Sequence, residues 1–386
     1  MSRDRSTSAP EQPYRVALIG CGRKGTVHAR SYDLDPRAEI VAGADPDREN
    51  LHLFCERFDV PGYADFEEML AAEQIDIALA ILPVQPNPEV VVRCAQLGVR
   101  AIGCEKPMAA SLQQADRMVD ECRARDVPLA VGDLDRNLPH YARAREAIAA
   151  GAIGQVRTIN VMMGSGSQLS GGHIQQFSLA RLFAADADVG WVIGWVSGDP
   201  WSEYDQGGAG YIRFTNGVEA FFDRGNTARY GVEVRGTEGT LVSDYRHVRM
   251  WRIRDDDGPA GRQFEPVEGM LPEDELYPGS KTYDSNGWRH FPRNNATAST
   301  LIDALENGTE PISSGDNGRR ALEIGIALRE SHRRGHVPVS CPLADRSLQI
   351  IPSDSRNFNK KQTRDRETYM QGLRRIKVDS AAVDSR

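Results

Sequence analysis

The sequence predicts an α/β protein with two domains: an N-terminal parallel sheet covered by helices, and a C-terminal α+β domain with a large, mainly antiparallel open sheet. In the first third of the chain, continuous apolar runs alternate with amphipathic helical stretches, as in a parallel sheet that is buried on both faces. From about residue 152, strand-like runs follow one another across short turns. We therefore place the first domain at 14–135 and the second at 136–345.

The first predicted strand leads into a glycine loop. The run RVALI at 15–19 precedes GCGRKG, which has the GxGxxG spacing, and a helical stretch follows. Glycines let the backbone approach a pyrophosphate, and a helix N-terminus offers free N–H groups to it. The motif is weak alone, but in this context it predicts a dinucleotide site; the alternative is a tight turn without a ligand. The expected cofactor contacts are Gly20, Gly22, Arg23, Lys24 and Gly25.

A second apolar run, EIVAGAD, ends in Asp45, twenty positions after Gly25. An acid at this place accepts a hydrogen bond from a ribose 2′-hydroxyl and repels a 2′-phosphate. The sequence therefore favours NAD over NADP as the cofactor, although the nearby Arg48 weakens that preference.

The stretch CEKPM directly follows VRAIG, a later strand of the predicted parallel sheet. Ligands of such sheets bind at the carboxyl ends of the strands, so Glu105 and Lys106 lie where the nicotinamide end of a dinucleotide would lie. An ammonium at this place could stabilise negative charge that develops on a bound ligand, which makes Lys106 a candidate catalytic residue. Glu105 would position this lysine or contact the nicotinamide ribose, and Pro83 would pack against the cofactor. The alternative is a solvated charge pair in a turn.

Composition excludes several classes of protein. The net charge of −8 argues against nucleic acid and anionic membranes as partners. No run approaches the ~18 apolar residues of a membrane span. The six cysteines are scattered and have no metal-ligand spacing. We expect a cytoplasmic protein without a bound metal.

With these motifs the chain resembles the glucose–fructose oxidoreductase / inositol dehydrogenase / MocA family. GxGxxG, Asp45 and Glu105-Lys106-Pro107 stand in the family's order and spacing, and RNLPHYARAREAIAAGAIGQV and VRGTEGTLVSD resemble its later segments. The resemblance covers roughly 14–345 and implies a Rossmann NAD-binding domain. It also implies hydride transfer between nicotinamide and a secondary hydroxyl of a sugar, cyclitol or related polyol. Lys106 would touch both substrate and cofactor, and the bond before Pro107 would be cis.

The family usually has a histidine after the first strand of its second domain, with an aspartate four positions earlier and often an acid three positions later. Here the histidine is His173, but Leu169 and Gln176 stand at the acid positions. We predict that His173 or a water chain takes the substrate proton. The alternative is a histidine that caps the helix starting near Ile174. Three other carboxylates could replace the missing acids: Asp186, Asp188 and Asp205.

Three further residues are candidate substrate contacts. Asn87, in ILPVQPNPEV, is the nearest match to a histidine of the family, and an N-cap of the next helix is the alternative. Arg136 and Asn137 follow the last parallel strand and could bind substrate hydroxyls. A hinge salt bridge is the equal alternative for them.

The remaining expectations concern the ends of the chain and its assembly. Residues 1–13 read as a disordered tail, and 346–386 as a polar extension that is either disordered or an arm on a neighbouring subunit. Helices at about 296–334 could pack back on the N-terminal domain. An open antiparallel sheet favours a homodimer or homotetramer.

Two other functions stay open on the sequence. One is an enzyme that retains NAD and cleaves or eliminates a glycosidic substituent without net redox change. The other is a non-catalytic nucleotide-binding protein. The missing acids around His173 leave room for the first, and the intact Lys106 argues against the second.

Overall fold

The computed structural model describes residues 12–132, 134–162, 168–223, 231–244, 247–254, 261, 263–269 and 292–352. Most of the predicted N-terminal tail, and the predicted extension from residue 353 onward, therefore lie outside the described residues.

The N-terminal domain is built on a six-stranded sheet in which all the strand pairs are parallel. Its strand order is β3-β2-β1-β4-β5-β6. The strands are β1 (Tyr14–Ile19), β2 (Ala38–Ala44), β3 (Gly62–Tyr63), β4 (Ile77–Ala80), β5 (Ala101–Cys104) and β6 (Leu129–Val131). Ile19 pairs with Ala80, and Ala80 with Cys104, so the carboxyl ends of β1, β4 and β5 meet at one edge. Ligands of such a sheet bind at that edge.

Helices cover both faces of this sheet, which explains why β4 and β5 are apolar throughout. The helices are α1 (Arg23–Asp33), α2 (Arg48–Phe58), α3 (Phe66–Ala72), α4 (Asn87–Gln96) and α5 (Leu112–Arg123). Asp47 and Asp65 cap α2 and α3, and Ser111 forms a capping box with Gln114 at α5. These N-caps satisfy backbone N–H groups at the points where the three helices begin.

The C-terminal domain has a nine-stranded sheet in the order β14-β13-β12-β11-β7-β10-β9-β8-β15. A 3-10 turn (Asp135–Asn137) and α6 (Pro139–Ala149) lead into it, and α7 (Gly172–Phe183) packs on it. The strands are β7 (Val156–Met162), β8 (Val189–Val196), β9 (Gly208–Phe214), β10 (Glu219–Phe222), β11 (Gly231–Gly236), β12 (Gly239–Ser243), β13 (Val248–Arg254), β14 (Gln263–Pro266) and β15 (Val339–Ser340). Only the β7–β10 pair among these described strands is parallel.

The two faces of the second sheet differ. On the covered face, the Phe177 ring of α7 meets the Phe222 ring edge-on at 5.0 Å between centroids. On the other face, Tyr211 lies between Trp191 and Phe221, with ring centroids 5.1 and 5.0 Å apart, and Phe221 is 43% exposed. The predicted fold class, a Rossmann domain joined to a mainly antiparallel open sheet, is confirmed.

Two closing helices connect the domains. Helix α8 (Pro292–Asn307) packs against α1, and Arg37 makes ion pairs with Asp303 and Glu306 on it. Helix α9 (Gly315–Arg333) lies against α5 and β6 of the first domain and against α7 and β8 of the second. Both helices therefore contact the N-terminal domain.

Residues 346–352, here called the bridging segment, also bind both domains. The Ile350 N–H donates to the Ala110 carbonyl oxygen at 2.9 Å. One residue later, the Ile351 N–H donates to Glu203 O, and Ile351 O accepts from the Asp205 N–H, each at 2.8 Å. The start of the predicted polar extension is thus part of the folded body.

Candidate active site

The glycine loop has the close packing that a dinucleotide site needs. Gly20 follows β1 with a φ of +96°, and a Cβ atom there would lie 2.5 Å from the Ile81 carbonyl oxygen. A Cβ atom on Gly25 would lie 1.9 Å from the Gly20 carbonyl oxygen. Both positions therefore exclude a side chain, as expected where the backbone must approach a pyrophosphate.

The helix after this loop presents a positive end. Gly22 precedes α1, no described side chain caps its first turn, and that turn contains no acid. Arg23 and Lys24 lie exposed there. The helix dipole and two cations together suit an anionic phosphate, so the predicted glycine-loop residues fit the pyrophosphate of NAD.

Asp45 lies directly after β2, buried beside the loop. Its carboxylate accepts from the Cys21 N–H at 2.9 Å, the Asp47 N–H at 2.8 Å and Asn50 Nδ2 at 3.3 Å. Burial raises the pKa of Asp45, and these hydrogen bonds partly oppose the rise. A carboxylate has about four lone-pair positions, so three donors leave room for a ribose hydroxyl.

Glu105, directly after β5, is held by donors from two elements. Its Oε1 lies 2.8 Å from His28 Nε2 and 3.2 Å from Lys24 Nζ, and its Oε2 accepts the Lys106 N–H at 2.9 Å. Burial alone would raise the pKa of Glu105, but the Lys24 ammonium, His28 and Lys106 hold that pKa well below its usual range. Glu105 therefore stays ionised beneath the predicted catalytic lysine.

Lys106 reaches from the first domain to the second. The peptide bond before Pro107 is cis, as the family resemblance implied. The Lys106 ammonium donates to the Gly171 carbonyl oxygen, with Nζ 3.3 Å away, and Gly171 is the N-cap residue of α7. The candidate active site thus lies between the carboxyl end of β5 and the N-terminus of α7. Pro83 lies half-buried just after β4, the strand beside β5.

His173 lies in the first turn of α7 but has no exposed surface. Its Nε2 lies 3.0 Å from the Gly208 carbonyl oxygen, so Nε2 carries the proton and donates it. No described group pairs with Nδ1. Burial lowers the pKa of His173, although the contacts with Gly208 and Gln168 oppose this, so the ring is neutral at pH 7. The ring packs near Phe177, on the side of α7 that faces the sheet.

A different residue of α7 faces the 3-10 turn. Gln175 is about 200° around the helix from His173, and its Oε1 accepts the Asp135 N–H at 2.9 Å. Gln176, at one of the missing acid positions, is 1% exposed, and no described group pairs with its amide. Leu169, at the other position, is part of the apolar core.

The three carboxylates that could replace the missing acids bind elsewhere. Asp186 accepts from Arg136, and Asp188 pairs with Arg320. Asp205 lies near the start of α7, since its Oδ2 accepts the hydroxyl of Ser170, two residues before the helix, at 2.5 Å. The acid whose charge acts on His173 is Asp223, which directly follows β10 and which the sequence did not single out.

The predicted substrate contacts of the crossing segment have protein partners. Arg136 is 2% exposed, and its Nη2 lies 2.9 and 2.8 Å from the two Asp186 oxygens. Asn137 Nδ2 donates to Thr297 Oγ1 at 2.8 Å and to Ser313 Oγ at 2.9 Å. Arg136 therefore forms a salt bridge, whereas Asn137 makes neutral hydrogen bonds, and a role toward substrate stays a prediction for both residues.

Asn87 is the first residue of α4, and Pro86 occupies the cap position. Its side chain is buried, and Nδ2 donates to the Met108 carbonyl oxygen at 2.9 Å. Asn87 thus holds the backbone just beyond Lys106-Pro107. A direct substrate contact stays a prediction.

His28 is the site residue that the sequence reasoning missed. It contacts Glu105 from α1. Its position three residues after Gly25 was the available signal, because residues three apart share a helix face. Elsewhere, the described residues contain no group of His, Cys, Asp and Glu side chains that could hold a metal ion. None of the helices in the described part is long and apolar enough to cross a membrane.

Comparison with known proteins identifies relatives of this chain. Residues 14–133 match the family model described as "Oxidoreductase family, NAD-binding Rossmann fold". Myo-inositol 2-dehydrogenase of Thermotoga maritima is 25% identical over 341 residues, which span 82% of this chain and 96% of that protein. scyllo-Inositol 2-dehydrogenase (NAD(+)) of Bacillus subtilis is 25% identical over 358 residues, or 85% and 96% of the two chains.

Solved structures show the same fold. The structure of a levoglucosan dehydrogenase in complex with NADH and levoglucosan has a TM-score of 0.70 and 20% sequence identity to this chain. The match covers 86% of this chain and 100% of the other. The two-domain architecture is therefore shared over nearly the whole described body.

Proposed function

The chain belongs to the glucose–fructose oxidoreductase / inositol dehydrogenase / MocA family, and from this premise we propose that it oxidises a secondary hydroxyl of a sugar, cyclitol or related polyol with NAD. Its relatives of similar length include dehydrogenases named for inositols and for D-apiose. The observation that carries the proposal is the position of Lys106, whose ammonium lies at the strand edge of the NAD domain and reaches the N-terminus of α7.

The first domain holds the cofactor. The glycine loop and the start of α1 bind the pyrophosphate, Asp45 accepts from the ribose 2′-hydroxyl, and Pro83 packs on the cofactor. Bound NAD supplies a hydride acceptor at C4 of the nicotinamide. Asp45 makes NAD the preferred cofactor, because its charge opposes the 2′-phosphate of NADP.

Lys106 acts on the substrate oxygen. Its ammonium donates a hydrogen bond to that oxygen and stabilises the negative charge that develops there as the hydroxyl proton leaves; the charge is lost again when the hydride leaves the carbon and the carbonyl forms. The ionised Glu105 fixes the lysine backbone from below. The hydroxyl proton leaves by the water-chain route, because His173 has no exposed surface with which to contact the substrate. His173 as the proton acceptor stays a prediction with its own test below.

The test measures reduced-nicotinamide absorbance with NAD or NADP and a panel of sugars, cyclitols and sugar acids. We expect a steady rise with NAD for one substrate group. Lys106→Met should lower kcat/KM by about 100–1000-fold, as expected when one donor to a developing oxyanion is removed. Arg117→Met, which removes an exposed cation of α5, is the control and should behave like the wild type.

One result would overturn this proposal. If no substrate gave a rise, and NAD left the protein only on denaturation, the function would be the NAD-retaining cleavage or elimination without net redox change. If Lys106→Met kept full activity, the assignment of the lysine would be wrong even though the dehydrogenase assignment survived.

Assembly and location complete the proposal. The open face of the second sheet carries Trp191, Tyr211 and Phe221 side by side, and an apolar patch of this kind favours a homodimer or homotetramer through the sheet. Light scattering of the purified protein gives the subunit number. We place the protein in the cytoplasm, because its six cysteines are all free.

A further inference from the structure

One buried side chain beneath the site has no part in the chemistry proposed above. We propose that His28 is a positioning residue for Lys106 and that it acts through the Glu105 carboxylate. The proposal rests on the proposed function of Lys106. It goes further, because it adds to the reaction a residue of α1 that touches neither the substrate nor the reacting atoms.

The contacts form a short chain from α1 to the lysine. His28 is 4% exposed, and its Nε2 lies 2.8 Å from Glu105 Oε1. The other oxygen of the same carboxylate accepts the Lys106 N–H at 2.9 Å. A carboxylate is rigid and planar, so a donor that fixes one oxygen also fixes the direction of the other. His28 thereby sets the acceptor that orients the Lys106 backbone.

The fold provides a fitted space for this imidazole. Gly132 directly follows β6, and a Cβ atom there would lie 3.0 Å from His28 Cε1 and 3.0 Å from the Cys104 carbonyl oxygen. The ring therefore lies against the ends of both β5 and β6. A residue larger than glycine at 132 would push the ring away from Glu105.

Lys24 also contacts Glu105 Oε1, at 3.2 Å, but it is the weaker constraint. Its side chain is 46% exposed, and ion pairs open to water contribute little. A buried hydrogen bond to a charged group contributes more, and losing it leaves the carboxylate unsatisfied. Lys24 also lies in the first turn of α1, at the end proposed to bind the phosphates, whereas His28 is buried one turn further along the helix.

Loss of His28 should affect two quantities. The Lys106 ammonium would be misplaced, so kcat would fall while NAD affinity stayed constant, because the glycine loop is untouched. The pKa of Glu105 would rise, because Lys24, His28 and Lys106 are the groups that hold it down. A higher pKa means that Glu105 is protonated at a higher pH, so the acid limb of the kcat/KM profile would move upward.

The test uses His28→Leu, which removes the donor, and His28→Gln, which keeps an N–H donor on a side chain of similar reach. We expect His28→Leu to lower kcat about 10–100-fold, the size of effect that a displaced catalytic group produces. His28→Gln should recover most of that loss. His52→Leu is the matched control, because His52 also faces a glutamate, Glu56 at 3.9 Å, but its side chain is 76% exposed.

A second readout needs neither substrate nor NAD. The rate at which an amine-reactive reagent labels Lys106 is followed by peptide mass spectrometry, with Tm and the Kd for NAD measured on the same samples. Labelling of Lys106 should be faster in His28→Leu than in wild type or His28→Gln. Unchanged labelling, or equal loss of kcat and Tm in both His28 variants, would show that His28 is only structural. The wild-type protein could be inactive on every substrate while Lys106 labelling is faster in His28→Leu. That result would contradict the dehydrogenase proposal but support the positioning role of His28.

Discussion

The cofactor half and the substrate half of the site use their polar residues differently. In the cofactor half, Gly20, Asp45 and Glu105 each directly follow a strand and present a backbone turn or a carboxylate at the sheet edge. In the substrate half, Arg136 and Gln175 are bound to other parts of the protein. The first half is arranged to receive a ligand, whereas these polar side chains of the second half are bound within the protein.

A substitution in the glycine loop should have the largest effect and tests whether the cofactor half is arranged to receive a ligand. Gly20→Ala would place a Cβ 2.5 Å from a carbonyl oxygen at a φ of +96°, so the loop must shift. We expect NAD affinity to fall about 10–100-fold, which corresponds to about 1.4–2.8 kcal/mol. Titration calorimetry with NAD measures this.

Gly151→Ala is the matched control for that experiment. Gly151 has a φ of +88°, but no atom lies within 4 Å of a Cβ built there. The backbone strain is therefore similar, about 1–3 kcal/mol of stability in both variants, without the steric contact. Equal NAD affinity in the two variants would contradict a close approach of the cofactor to Gly20.

Asp45 tests whether the cofactor half also selects its ligand. Asp45→Asn keeps the shape of the side chain but removes the charge that opposes a 2′-phosphate. We expect the kcat/KM ratio of NADP to NAD to rise by about tenfold, since that corresponds to about 1.4 kcal/mol of removed repulsion. Asp47→Asn, which alters the charge but preserves the cap of α2, should leave the ratio unchanged. Identical ratios for both variants would remove Asp45 from the cofactor site.

His173 should give the smallest effect and tests the substrate half. His173→Gln keeps an N–H donor for the Gly208 carbonyl oxygen but has no base at the Nδ1 position. We expect kcat/KM to change by less than about tenfold, below the range of about 100–10,000-fold typical of a lost general base. A larger fall at unchanged Tm would identify His173 as the proton acceptor.

The contrast also explains what the sequence could predict. The positions of Gly20, Asp45 and Lys106 could be predicted because each follows a short apolar run. Parallel strands bring their carboxyl ends to one edge of the sheet. The environment of Arg136 could not be predicted from the sequence, because it depends on Asp186, which is 50 residues away in the chain. His173 was expected just before a helix starting near Ile174, whereas α7 begins at Gly172 and Gly171 is its cap residue; the burial of the ring depends on the distant Gly208. The role of His28 could not be predicted without knowing which face of α1 meets β5.

The bridging segment determines how the site can open. Its backbone is hydrogen-bonded to Ala110 in the first domain and to Glu203 and Asp205 in the second. A hinge motion that separated the domains would break these bonds together, since neighbouring residues make them. Substrate exchange should therefore proceed by loop and side-chain motions, which take place in nanoseconds to microseconds, rather than by the slower swing of whole domains. The two domains would keep their relative positions while loops and side chains at the entrance to the site move to admit the substrate.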